Sequence, residues 1–232
     1  MCSASVLAFQ AHSHVTVVSA PYIANTTNII ELNIPHGCSD ELSGSEDTVR
    51  IEVKVPSTIT NIRAMDAVFG QANTQVIDET SDYTLISWDK VPGTERESDT
   101  QFYRVGFRGK LPDSPFSTIY LPTTQYCIND AQEQISVSWD AHTSGHHYAA
   151  AQSSGNPAPS LMVMPSRYPG WNQYTTVADQ HLHDMSIFND AEIVWWNDAA
   201  YSVNPVTKTM IENNGTAVLS EIHDNATFWV KY

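Results

Sequence analysis

The chain has 232 residues, of which 41% are apolar, enough for one large domain or one domain with an appendage. Its 26 acidic and 11 basic residues give a net charge of −15, which argues against nucleic-acid binding because such a surface repels phosphate backbones. No stretch approaches the roughly 20 consecutive apolar residues that a membrane span needs, so we expect a chain that is not membrane-spanning.

The first predicted feature in chain order is the remnant of a signal peptide over residues 1–13. Ala11 and Ser13 form a small-x-small pattern of the kind that signal peptidase cuts after. A cut after Ser13 makes His14 the mature N-terminus, whereas a cut after Ala11 leaves His12-Ser13-His14. An N-terminal histidine can hold one metal ion through its amine and its ring Nδ1, and nitrogen ligands in a tetragonal arrangement suit Cu(II). The sequence therefore predicts a periplasmic or secreted protein with a Cu(II) site at His14.

Most of the chain that follows has the pattern of short strands separated by turns. The best example is residues 49–55, where apolar and charged residues alternate as in a half-buried strand. We expect a turn over residues 35–38, which holds His36, and a polar loop over residues 39–47. The spacing of the strands predicts a two-sheet β-sandwich. The predicted strands cover residues 14–18, 28–34, 49–55, 83–88, 101–108, 118–122 and 134–139.

Three cysteines bear on the compartment and on the fold. Removal of the leader removes Cys2 and leaves Cys38 and Cys127, a pair that is most simply a disulfide in an oxidising compartment. Two separate buried thiols are the alternative. A metal site that uses both is less favoured, because neither cysteine belongs to a Cys-x-x-Cys pair.

The pattern of short strands separated by turns ends at residue 140. Residues 141–159 are rich in Ser, Ala, Gly, His and Pro and are predicted to be a linker, in which His142, His146 and His147 could bind metal loosely. Beyond it we expect a short helix over residues 179–189, strands over 191–196 and 227–232, and a helix that opens with Asn204 and Pro205. His181 and His183 share one face if their segment is a strand, but not if it is a helix.

Several segments together resemble the YcnI-like family of exported copper-binding domains. The order and spacing of these segments agree with the family over about residues 14–165. The remaining residues, 166–232, resemble an extension of unknown role that some members carry. The segments are His-Val-Thr-Val at 14–17, Ile-Pro-His-Gly-Cys at 34–38, Phe-Arg-Gly-Lys-Leu-Pro-Asp at 107–113, Tyr-Leu-Pro at 120–122 with Gln125 and Cys127, and Asn-Pro-Ala-Pro at 156–159.

The resemblance implies an immunoglobulin-like β-sandwich with a small α+β C-terminal extension. It also implies a Cu(II) site built on His14, with a tryptophan nearby and an acidic ligand from an early strand. We assign the tryptophan to Trp139, with Trp88 as second choice, and the acidic ligand to Glu31. Asn28 stands where family members carry the acid, so the third ligand is left open. His36 is a further candidate ligand, provided that its turn folds beside the first strand.

These features predict an exported Cu(II)-binding protein that acts in copper storage or delivery. Its partners would be the copper ion and a membrane copper transporter or cuproenzyme, and we expect no enzymatic activity because no catalytic constellation is present. One alternative is a metal-free immunoglobulin-like interaction module whose C-terminal extension binds a partner. Another is a copper-dependent oxidative enzyme, in which His36 or the linker histidines would supply the second histidine that such chemistry needs.

Overall fold

A computed structural model describes residues 14–40, 44–76, 82–94, 101–129, 131–142, 155–178 and 180–232. The predicted signal segment and the linker residues His146 and His147 lie outside the described residues. The described residues up to 164 form fifteen strands: β1 (Thr16–Val17), β2 (Tyr22–Ile23), β3 (Thr27–Ile34), β4 (Cys38–Asp40), β5 (Gly44–Glu46), β6 (Thr48–Pro56), β7 (Thr60–Met65), β8 (Gly70–Val76), β9 (Tyr83–Lys90), β10 (Tyr103–Lys110), β11 (Thr118–Tyr120), β12 (Thr123–Ile128), β13 (Gln134–Ala141), β14 (Asn156–Pro157) and β15 (Ser160–Met164).

Two large sheets face each other across one hydrophobic core. The first has the order β1-β3-β10-β7 and the second has the order β14-β13-β12-β6-β9-β8, and only β13 and β14 pair in parallel. A smaller sheet, β11-β15-β2, and a β4–β5 hairpin complete this part of the chain. The predicted mainly-β, immunoglobulin-like two-sheet sandwich is therefore confirmed.

The alternation of apolar and charged residues explains which face of β6 packs against the core. Ile51, Val53 and Val55 are fully buried, whereas Glu52 and Lys54 between them face outwards. Across the core, Ile30 and its neighbours on β3 have the same alternation. Each buried branched side chain contributes roughly 1.5–3 kcal/mol through removal of apolar surface from water. The period of two thus decides which face of each sheet becomes the core.

The structure departs from the sequence-based expectation in several polar strands. The predicted loop over residues 39–47 contains the β4–β5 hairpin, and β14 lies within the predicted linker. Strand β12 carries Thr123, Gln125 and Cys127 on its buried face, so hydrophobic alternation does not reveal it. These strands are held by pairing with their neighbours, and β12 is held in addition by the buried polar contacts of Gln125.

The C-terminal extension forms a five-stranded sheet of its own with the order β16-β20-β17-β18-β19. The predicted helix with Asn204 as N-cap is confirmed, because the Asn204 side chain accepts from the N–H groups of Val206 and Thr207. The helix predicted over residues 179–189 is wrong. Residues 180–189 are described, and they hold a 3-10 turn at Met185–Phe188 instead of an α-helix. The elements are β16 (Trp171–Thr175), the 3-10 turn (Met185–Phe188), β17 (Ile193–Trp196), β18 (Ala199–Tyr201), α1 (Pro205–Asn213), β19 (Ala217–Val218) and β20 (Thr227–Lys231).

Phe116 joins the sandwich to the extension. It precedes β11, yet its ring packs in the second core, 5.8 Å from Tyr174, 6.1 Å from Phe188 and 5.6 Å from Phe228. Its φ of 65° lies in the left-handed region, which is unfavourable for a residue with a bulky side chain. Packing against three rings compensates for this conformation. The division of the chain at residues 165 and 166 stays a prediction.

We expect Phe116→Leu to lower the free energy of unfolding by about 2 kcal/mol, since three ring contacts worth roughly 0.5–1.5 kcal/mol each are replaced by one aliphatic contact. Urea unfolding of the two proteins measures the difference. Phe102→Leu is the matched control, because Phe102 is exposed and the same substitution there should change stability by less than about 0.5 kcal/mol. Equal effects at the two positions would contradict the bridging role of Phe116.

Candidate metal sites

His14 lies at the exposed start of the first strand pair. Val15 beside it is buried, and β1 pairs antiparallel with β3 so that Thr16 lies opposite Asn33. His14 precedes Thr16 by two residues and His36 follows Asn33 by three, and the strands are antiparallel. The two histidines therefore lie beyond the same end of the β1–β3 pair. This is the condition under which His36 is a candidate ligand for a metal at His14.

The turn that carries His36 is pinned to the opposite sheet. Cys38 and Cys127 form a disulfide, with 5.9 Å between their Cα atoms, which confirms the predicted bridge. The buried Gln125 donates from Nε2 to the carbonyl oxygen of His36 at 2.6 Å and to Oγ1 of Thr48 at 2.5 Å. Gln125 and Cys127 lie on one face of β12, so a single strand fixes the position of the turn.

The ring of His36 is oriented by its own backbone neighbour. Its Nδ1 lies 2.6 Å from the carbonyl oxygen of Gly37. A carbonyl oxygen only accepts, so Nδ1 is the donor, and in the neutral ring the lone pair belongs to Nε2. A hydrogen bond of this kind from the other ring nitrogen is what fixes the tautomer of metal-binding histidines.

The register places Glu31 at the other end of β1 from His14. The carbonyl oxygen of Glu31 accepts from the N–H of Val18 at 2.8 Å, and Val18 follows His14 by four residues. An extended chain rises about 3.3 Å per residue, which puts the Glu31 position about 13 Å along the strand from His14. The carboxylate instead acts on Tyr22, whose pKa is raised mainly by burial and further by the charge of Glu31.

Both predicted tryptophans belong to the core of the sandwich. Trp139 on β13 lies opposite Thr123, four residues along β12 from the disulfide at Cys127. Trp88 is fully buried opposite Ile51, and its Nε1 donates to the carbonyl oxygen of Met65 at 2.8 Å. Ile51 in turn pairs with Gln125, so Trp88, the second choice, lies level with Gln125 but two strands away from it. Their roles beside a metal stay predictions.

A buried polar cluster that sequence reasoning missed lies at the same end of the sandwich. Lys90 on β9 forms an ion pair with Asp47, and its Nζ donates to the hydroxyl of Tyr103 at 2.8 Å. The same hydroxyl donates to Oδ1 of Asp47 at 2.9 Å. Tyr103 pairs with Ile34, so the cluster connects the two sheets two residues before His36. Burial raises the pKa of Tyr103, and the hydrogen bond from Lys90 works against that rise.

Comparison with known proteins identifies the family. A family model described as "Domain of unknown function (DUF1775)" matches residues 14–163. The chain belongs to the DUF1775 family. The match to the DUF1775 model begins at His14 and ends within β15, so it includes His36 and the disulfide but not the C-terminal extension. No curated protein matches the chain.

Two solved structures are similar to this DUF1775 protein. An uncharacterized protein from Nocardia farcinica, reported to have an immunoglobulin-like fold, shares 17% identity over 65% of this chain and 98% of its own, with a TM-score of 0.48. The major pilin SpaA of Corynebacterium diphtheriae shares 13% identity over 72% of this chain, with a TM-score of 0.33. The chain spans 46% of that pilin's length.

The structure brings together one further histidine group, beyond the DUF1775 match. Among the residues that the structure describes, one set of three or more His, Cys, Asp or Glu has its ligand atoms within 4.8 Å of one another: His181, His183 and Glu221. The sequence pointed to His181 and His183 but missed Glu221 and the neighbouring His223. The signal for them is that Glu221-Ile222-His223 has the same polar–apolar–polar order as His181-Leu182-His183.

No helix within the described ranges has the length and apolar character needed to cross a bilayer.

Proposed function

We propose that this DUF1775 protein is an exported Cu(II)-binding protein whose mature chain begins at His14. The observation that carries the proposal is that the family match begins at His14, the residue that the small-x-small pattern exposes as a new N-terminus. His14 is exposed and leaves the strand pair at the same end as His36. The proposed ligands are therefore the amine and ring of His14 and the ring of His36.

The donor set fits Cu(II) through its nitrogen atoms. The amine and Nδ1 of an N-terminal histidine close a chelate ring on one metal ion, and Nε2 of His36 is the ring nitrogen left with the lone pair by the bond to Gly37. Nitrogen ligands in a tetragonal arrangement favour Cu(II) over other divalent first-row metals. Glu31 is left out of this set, because the register places it beside Val18. The net charge of −15 favours the approach of cations.

Export and delivery belong to the same proposal. The disulfide is the kind of cross-link that persists in the periplasm or outside the cell, where glutathione does not keep thiols reduced. The first 13 residues supply a leader that is removed. A protein that holds Cu(II) at an exposed chain terminus can pass it to a membrane copper transporter or to a cuproenzyme, and such a carrier needs no catalytic residues.

The test is a Cu(II) titration of two purified forms, one that begins at His14 and one with a single alanine before it. We expect the first form to bind one Cu(II) per chain with a nitrogen-rich EPR signal. The alanine removes the amine from the chelate, so the second form should bind at least about a hundredfold more weakly, because loss of a direct ligand exceeds the roughly 10–100-fold cost of an outer-shell change.

Two comparisons sharpen this test. His36→Ala in the form that begins at His14 should weaken binding, whereas His142→Ala should leave the affinity unchanged, because His142 stacks on Tyr120 in another part of the sandwich. Equal Cu(II) binding by the two forms would remove the metal from the N-terminus and contradict the proposal. Absence of binding by both would favour the metal-free interaction module.

A further inference from the structure

The histidines of the C-terminal extension lie on a short cross-strand pair outside its five-stranded sheet. Leu182 and Ile222 exchange two backbone hydrogen bonds of 2.9 Å each in an antiparallel bridge. In that register His181 lies opposite His223, and His183 lies opposite Glu221. Residues on either side of a bridged position point to the same face, so all four side chains project from one side of the pair. The partner sequences, 38 or more residues apart, cannot be paired from spacing alone.

The separations of the ligand atoms suit a shared metal ion. Oε2 of Glu221 lies 3.3 Å from Nε2 of His181 and 3.4 Å from Nδ1 of His183, and Oε1 lies 3.7 Å from Nε2 of His223. Zinc bonds of 2.0–2.1 Å at tetrahedral angles place neighbouring ligand atoms about 3.3–3.4 Å apart. An ion pair between Glu221 and one protonated histidine would instead favour a single contact of about 2.7–2.9 Å. The separations of 3.3 and 3.4 Å agree with the zinc-ligand spacing for His181, His183 and Glu221, whereas His223, at 3.7 Å from the other carboxylate oxygen, lies at the edge of the group.

The backbone on both sides of this group is anchored. Leu182 and Ile222 are buried in the second core, so the bridge that carries the ligands cannot rotate. Thr176, itself buried, donates from Oγ1 to the carbonyl oxygen of His223 at 2.7 Å. On the other segment Asp184 accepts from the N–H of Ser186 and begins the 3-10 turn. The ligand positions are therefore set before any ion binds, which is the condition for a specific site.

The three imidazole rings of this group are in contact with one another. The rings of His181 and His183 stack with centroids 3.9 Å apart, and the ring of His223 meets His181 edge-on at 4.5 Å. Burial lowers the pKa of His181, as do the charges of His183 and His223, while Glu221 opposes this shift. A divalent cation at this position would compensate the charge of the Glu221 carboxylate.

We propose that His181, His183, His223 and Glu221 form a binding site for a divalent zinc-like metal ion, separate from the copper site at His14. Three imidazoles and one carboxylate are ligands that Zn(II) accepts in tetrahedral sites. The four side chains are between 16% and 51% exposed, so an ion can enter from solvent. The site ties the segment before the 3-10 turn to the segment before β20, and metal binding should hold these two segments together.

The experiment is a Zn(II) titration by calorimetry of the protein with an alanine before His14, which removes the N-terminal chelate. We expect one Zn(II) per chain and a higher Tm on its addition, because a ligand that binds only the folded state stabilises it. Glu221→Gln and His183→Ala should each raise the Kd at least about a hundredfold, because loss of a direct ligand exceeds the roughly 10–100-fold cost of an outer-shell change. Glu212→Gln on the exposed face of α1 and His142→Ala are the matched controls and should leave the Kd unchanged.

A measurement without substitutions covers the case in which a variant fails to fold. Diethyl pyrocarbonate modifies accessible neutral imidazoles, and peptide mass spectrometry reports the extent at each histidine. Zn(II) should protect His183 and His223, but not His142. The proposal is overturned if Zn(II) does not bind the alanine-preceded protein, if the cluster variants keep the same Kd, or if Zn(II) protects none of the three cluster histidines. Binding of Cu(II) alone at this cluster would also overturn the zinc assignment.

Discussion

Replacing Cys38 and Cys127 together by alanine is expected to lower the free energy of unfolding by about 4 kcal/mol. The bridge joins residues 89 positions apart, and a cross-link over a loop of this length restricts the unfolded chain by about 4–5 kcal/mol in the chain-entropy model. Both cysteines are buried, so loss of their packing adds to the effect. Urea unfolding of the oxidised protein and of the double variant measures the difference.

Reduction supplies the control for this prediction. Dithiothreitol should lower the stability of the parent protein by a similar amount and leave the double variant unchanged, since only the parent has a bond to reduce. A parent protein that is as stable reduced as oxidised would show that the bridge does not restrict the unfolded state. If the form that begins at His14 binds Cu(II) as proposed, its affinity should fall in the double variant, because Cys38 ends the turn that carries His36.

The sequence predicted the parts of the fold that rest on apolar periodicity. The alternation around Ile51 located β6, and the pairing of Asn204 with Pro205 located the start of α1, because both signals are local. Strand β12 escaped prediction since Thr123 and Gln125 take the buried positions that periodicity assigns to apolar residues. The amide of Gln125 donates to His36 and to Thr48, which are distant from it in sequence, and no local pattern reveals such partners.

The candidate sites show the same limit. The disulfide could be predicted from the sequence because two cysteines remain, whereas His14, which a cleavage pattern and its neighbours single out, stays a prediction. Glu221 could not be found, since its approach to His183 depends on the bridge between Leu182 and Ile222. Contacts between distant segments are fixed by tertiary packing, and packing of this kind leaves only weak signals in a single sequence.

The buried ion pair between Lys90 and Asp47 is the second feature whose disruption should have a large effect. We expect Asp47→Asn to lower the free energy of unfolding by about 3–5 kcal/mol, because it leaves the ammonium group of Lys90 buried without its counter-charge. Adding Lys90→Met removes that charge, so the double variant should be more stable than Asp47→Asn alone. Urea unfolding of the parent, the two single variants and the double variant gives the coupling energy.

An exposed ion pair in the same chain is the control that distinguishes the effect of burial from the effect of charge on stability. Glu192 pairs with Lys231 at the surface of the extension, where both side chains are more than a third exposed, and Glu192→Gln should cost less than about 1 kcal/mol. Additive effects at Asp47 and Lys90, or a cost no greater than that of Glu192→Gln, would contradict a stabilising buried pair.

Tyr103 joins the Lys90–Asp47 pair to Ile34, two residues before His36. If Cu(II) binds at His14 as proposed, the loss of Asp47 should therefore weaken this binding even under conditions in which the variant stays folded.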